Sequence, residues 1–106
     1  MTKQLNFITL IILMILSACA NRKAMQSSIE RDGSSFEKAI IITETSSRPG
    51  IAAEYSWIRK NHPGYAPQGQ SLVHKDKRSF DIIKTANAKG EEKLFYFDIT
   101  NFFGKF

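Results

Sequence analysis

The chain has 106 residues, 42% hydrophobic and 11% aromatic, with 15 Lys+Arg against 10 Asp+Glu and one cysteine. That length holds one small domain, which buries only a modest share of its surface. A lone cysteine excludes an internal disulfide and a multi-thiolate metal site, so the fold rests on its apolar core, and the net charge of +5 suits either anionic neighbours or simple solubility.

The first element is the apolar stretch that follows Lys3. Leu5 to Leu16 give a hydrophobic region of about a dozen residues, the span of a signal peptide and short of the roughly twenty that cross a bilayer. It closes on Leu16-Ser17-Ala18-Cys19, an apolar residue, two small ones and a cysteine. This resembles the lipobox of bacterial lipoproteins. Small side chains let a peptidase reach the extended backbone, and the thiol is a soft nucleophile suited to carrying a diacylglycerol thioether. The resemblance implies a signal peptide over residues 1–18, cleavage before Cys19, a lipid on Cys19 and acylation of its new amino group. An ordinary secretory signal with an incidental cysteine is the alternative.

Residues 19–31 are polar, without sustained periodicity, and read as a flexible tether that cannot bury enough surface to offset its ordering entropy. Arg22 and Lys23 each add about 1 kcal/mol of attraction to an anionic membrane. In Gram-negative lipoproteins an aspartate directly after the lipidated cysteine commonly signals inner-membrane retention. Ala20 stands there instead, and the resemblance favours the periplasmic face of the outer membrane.

The domain is expected over residues 32–106. Asp32-Gly33 makes a turn, and Ser34 with Glu37 has capping-box spacing, which predicts one helical turn. The β-branched run Ala39-Ile40-Ile41-Ile42-Thr43 predicts an interior strand covered on both faces. Ser46 to Gly50 supply cap and first-turn residues, and Ile51 to Asn61 predict a helix with Ile51, Tyr55 and Ile58 on its buried stripe and Ala53, Ser56 and Lys60 opposite. Pro63-Gly64 stops it. Trp57 lies off the stripe; it either flanks a binding surface or packs beneath the loop with Pro63, Tyr65 and Pro67. Residues 62–70 read as loop.

From Ser71 the pattern is strand and turn. Ser71–His74, Ser79–Thr85 and Lys93–Ile99 form an antiparallel meander, joined by turns at Lys75–Arg78 and around Lys89-Gly90. Phe95, Phe97 and Ile99 share one face of the last strand. Three phenylalanines in the final segment fold back onto the core or form an exposed docking segment. The expected fold is α+β, a single small domain ordered β-α-β-β-β, with one helix on a mainly antiparallel sheet. Whether the first strand joins the meander in parallel stays open.

The domain also resembles small bacterial proteins without an assigned activity, through Asp32-Gly33-Ser34-Ser35, His62-Pro63-Gly64-Tyr65, Gly69-Gln70-Ser71-Leu72 and Tyr96-Phe97-Asp98-Ile99 with Phe102-Phe103-Gly104-Lys105. That resemblance implies no mechanism. His62 and His74 lack metal-ligand spacing, no serine sits in Gly-x-Ser-x-Gly, and no cofactor motif is present. Asp81 and Asp98, on adjacent predicted strands, are a candidate carboxylate pair or members of a solvated face. The turn cations Lys75, Lys77 and Arg78 are candidate anion or partner contacts, or an edge-protecting turn. Taken together these residues lead to the expectation of a non-enzymatic envelope lipoprotein. It would be held to the membrane by the lipid on Cys19 and present a domain to an envelope protein or anionic envelope component, not to nucleic acid. A periplasmic envelope-modifying hydrolase and an inhibitor or immunity-type lipoprotein are the alternatives.

Overall fold

A four-stranded sheet, ordered β1-β4-β3-β2, carries one helix on one face. The computed structural model describes residues 30–106; the signal segment, Cys19 and the tether to residue 29 lie outside the described residues. Residues Arg31–Phe106 form one compact unit. Its elements are β1 (Ile40–Ile41), α1 (Ser47–Asn61), β2 (Ala66–Lys75), β3 (Arg78–Ala86) and β4 (Glu92–Asp98). The fold is α+β in the expected element order. β2, β3 and β4 form the antiparallel meander, and β1 joins β4 in parallel, with Ile40 opposite Phe97 and Ile41 opposite Asp98.

Strand alternation places the core. Ile83, Phe95 and Phe97 point from β3 and β4 toward α1, where they meet Ile58, Ile42, Ile99 and Phe102. Phe97 is wholly buried, as the face assignment of β4 required. The β2–β3 hairpin turns through Asp76 and Lys77, both at positive φ, as a two-residue turn that matches strand twist requires. On the opposite sheet face Phe36 stands edge-on to Phe80 and Tyr96 at centroid distances of 5.1 and 4.9 Å.

Four local expectations are corrected. The helical turn at Ser34–Glu37 is a series of bends, because Ser34 donates its amide and hydroxyl to Asp32 Oδ1, at 3.0 and 2.6 Å, and does not cap a helix. β1 is two residues long and lies at the sheet edge, with Ile41 38% exposed; Ile42 is buried in the core instead of in a central strand. β2 begins at Ala66, inside the expected loop, since an edge strand tolerates Pro67 next to the irregularity between Pro67 and Gly69.

The buried line of α1 is Gly50, Glu54 and Ile58, with Ile51 40% exposed. Tyr55, like Ala53 from the supposed outer side, is partly buried against the core. The cause is at the chain's end. Phe102 is buried against Gly50, where any Cβ would overlap its ring, and the Lys105 carbonyl accepts from Ser47 N at 2.7 Å and Ser47 Oγ at 2.9 Å. Asn101 Nδ2 donates to the Ile42 carbonyl at 2.9 Å. The helix therefore begins at Ser47, with its first amide satisfied by the tail and Pro49 at a position where an absent N–H costs nothing. Of the three terminal phenylalanines, Phe102 is core, Phe103 is 44% exposed and Phe106 is fully exposed.

Gly50→Ala should destabilise the domain by about 1–3 kcal/mol through overpacking against Phe102. In a Phe102→Ala background the same change should cost almost nothing, and thermal melts of the four chains read the coupling.

Candidate functional site

β1 pairs with β4 only at Phe97 and Asp98, which leaves the outer edge of β4 uncovered toward its start. The Tyr96 amide donates outward to the Gly33 carbonyl at 2.8 Å, and the Asp98 carbonyl accepts outward from Ile42 at 3.0 Å. Backbone groups alternate along a strand, so those of Leu94 also point outward. Among the described residues no strand pairs with them. A groove of about 420 Å³ lies there, lined by Asp32, Ser34, His62, Lys93 and the Leu94–Tyr96 segment.

Each groove residue is set by its local structure. His62 follows the helix, its amide bonded to the Ile58 carbonyl at 2.8 Å, and its ring lies 4.6 Å from Phe95. Burial, with Lys93 adding to it and Asp32 opposing, holds the imidazole below its usual value, so near neutrality it presents one donor and one acceptor. The Ser34 bonds hold the Asp32 carboxyl below the usual range. Lys93 Nζ lies 5.0 Å from the Tyr65 ring centre. The groove thus combines a carboxylate, a neutral imidazole, an ammonium and an open backbone pair over an aromatic floor. Two segments of the resemblance, Asp32–Ser35 and His62–Tyr65, meet here. Nothing in their sequence separation announced it.

Trp57 is half-buried and stands edge-on to Phe95 and Phe97, both at 5.7 Å, with His62 at 5.6 Å. Its ring partners are thus Phe95 and Phe97 of β4 and His62 of the following loop. At the hairpin tip, Lys75 Nζ sits 4.5 Å from the Phe36 ring centre, and Arg78 Nε donates to Asp98 Oδ2. Lys77 is exposed. Two of the three tip cations therefore engage groups on the second sheet face, Phe36 and Asp98.

Asp81 and Asp98 lie on opposite faces, because Asp98 is across from Phe80 and Asp81 from Phe97; they form no pair. Burial raises the Asp98 carboxyl, but bonds from Thr100 and Arg78 outweigh it and the net shift is downward. Asp81 meets Glu54 of α1, and both are buried. Burial, then hydrogen bonding and repulsion from Asp81, raise the Glu54 carboxyl to about 9. Glu54 is consequently neutral at pH 7 and can donate to Asp81, while its Oε1 has no partner. Glu54 is absent from the apolar stripe expected of the helix, because no local signal marks a carboxyl for burial. His74 Nδ1 lies 3.0 Å from Ser79 Oγ, yet the nearby acid Asp81 is engaged by Glu54. Among the described residues no group of three or more His, Cys, Asp or Glu is placed to hold a metal.

No family model matches the chain, and no curated protein or solved structure is similar to it.

Glu54 has a raised folded value, so the unfolded chain releases a proton that the folded chain keeps. Stability should fall as pH rises from about 4.5 to about 9. Glu54→Gln should flatten that fall, leaving a stability gain that grows toward alkaline pH in thermal melts.

Arg78→Gln should cost about 1.5 kcal/mol, the low end for a charged hydrogen bond because the guanidinium is half-exposed. Lys77→Gln should stay within about 0.5 kcal/mol. Asp98 has a depressed folded value, so its contribution is present above the ordinary carboxylate range and lost as pH falls through that folded value. The Arg78→Gln deficit should shrink in acid accordingly.

Proposed function

We propose that this protein is a non-enzymatic, lipid-anchored binding module of the bacterial cell envelope. Cys19 carries the lipid, the residues from 19 to the start of the compact unit at Arg31 are the leash, and the periplasmic face of the outer membrane is the location. The partner is another envelope protein, which lays an extended segment along the outer edge of β4.

The observation that carries this reading is the open Leu94 backbone pair flanked by Asp32, His62 and Lys93. Strand addition draws affinity from main-chain bonds and specificity from the side chains beside them. The groove offers a carboxylate and an ammonium for a segment bearing both signs of charge. A purely anionic partner at the hairpin tip is less well supported, since Lys75 and Arg78 are engaged with Phe36 and Asp98. The anchor follows from Leu16-Ser17-Ala18-Cys19. Among the described residues no helix is long and apolar enough to cross a membrane.

Two measurements test the proposal. Cys19→Ser should abolish labelling by an alkyne fatty acid in a bacterial host, and undiminished labelling would remove the lipid anchor. A photo-crosslinking residue at position 94 should give a discrete adduct in intact cells that Lys93→Glu diminishes severalfold. The same residue at Ile51 should not. Equal adducts from both positions would remove the β4 groove as the binding site.

A further inference from the structure

The opposite edge of the sheet is built differently. β2 runs ten residues, Ala66–Lys75, and among the described residues its only strand partner is β3. The bonding direction along it follows from its neighbours. The Ser79 carbonyl accepts from Ile99 on the β4 side of β3, so the facing pair His74 and Ser79 exchanges no ladder bonds. The N–H and C=O groups of His74 therefore point away from β3, as do those of Leu72 and Gln70 by alternation.

Edge strands are normally guarded by charge, proline or a bulge. Here Pro67 and the irregularity between Pro67 and Gly69 guard only the beginning. No Asp, Glu, Lys or Arg occurs from Ala66 through His74, and Gln70 to His74 forms a clean, uncharged edge. Its helix-side face is also uncovered. Leu72, across from Asp81, is 49% exposed, and Phe103, 4.9 Å from the His74 ring, is 44% exposed.

We propose that β2 pairs antiparallel with β2 of a second copy, joining two sheets edge to edge about a two-fold axis at Leu72. In that register Leu72 faces its own counterpart and Gln70 faces His74 on each side of the axis. Every outward group of the three residues then finds a partner. Lys75 falls opposite Gly69, so no like charges meet along the strand. The apolar contact of the two Leu72 side chains lies on the helix side. Self-complementarity of one patch is what a two-fold interface needs, and in a chain of net charge +5 a neutral edge lets copies approach. This surface is independent of the β4 groove, at the other side of the sheet.

Two differently tagged copies of the full chain, expressed together, test it. They should co-purify, and Leu72→Lys in both should reduce the recovered partner about tenfold, about 1.4 kcal/mol of association, with an unchanged thermal melt. Leu72→Lys paired with Leu72→Glu should restore it, because the axis sets the two charges side by side. Facing residues that exchange backbone bonds have Cα atoms about 5.5 Å apart, within disulfide reach. Leu72→Cys should therefore give an oxidised dimer above the Cys19 baseline of the parent, and Ile51→Cys should not. Failure of the parent copies to co-purify, co-purification indifferent to Leu72→Lys, or equal cross-linking at positions 51 and 72 would each overturn the proposal.

Discussion

The contact on which the rest of this domain depends joins its last residues to the start of its helix. Phe102 occupies the space that Gly50 leaves open, and the Lys105 carbonyl takes the Ser47 amide and hydroxyl. Asn101 reaches back from the same turn to the Ile42 carbonyl. One short segment thus ties β1, α1 and the end of β4 together. With the first turn held there, α1 can rotate only so that Glu54 and Ile58 face β3 and β4. A glycine at position 50 is required by that close approach, not by its backbone angle.

That rotation has an electrostatic consequence. It drives Glu54 against Asp81 in a region from which both are shielded from water. Two charges there would be costly, and the chain resolves the conflict by keeping one carboxyl protonated. The neutral Glu54 carboxyl then works as a hydrogen-bond donor to Asp81. On the far face the problem is solved differently. Asp98 keeps its charge because Arg78 and Thr100 supply donors. One small domain therefore handles buried acids in opposite ways: Glu54 on the helix is kept neutral, and Asp98 on the sheet is charged and paired.

The sheet's two edges are also unlike. On the β4 side, a two-residue β1 and the wrapping segment from Asp32 to Lys38 cover part of the edge and leave a mixed-polarity groove at the remainder. On the β2 side, the strand is long, neutral and only lightly guarded. Residue composition beside each open backbone row separates the uses proposed for them: charges of both signs for a foreign segment, and a neutral self-complementary row for a second copy.

Local chemistry was sufficient wherever one stretch of chain settled the outcome. The meander, its two turns, the helix stop at Pro63-Gly64 and the inward face of Phe95, Phe97 and Ile99 all follow from alternation and turn residues. Leu16-Ser17-Ala18-Cys19 supports the expectation of a lipid anchor by the same kind of short-range reading. What local pattern left open needed residues far apart in sequence. The apolar run of Ala39, Ile40, Ile41 and Ile42 looks alike at the centre of a sheet or at an edge that feeds the core; only pairing with Phe97 and Asp98 decides it. Glu54 reads as a surface residue until Asp81 is brought opposite it. Asp32, His62 and Lys93 become neighbours only once β4 brings Lys93 beside the segments that bear Asp32 and His62. A hydrophobic pattern records which residues leave water, but the partner that replaces the water is chosen by tertiary packing.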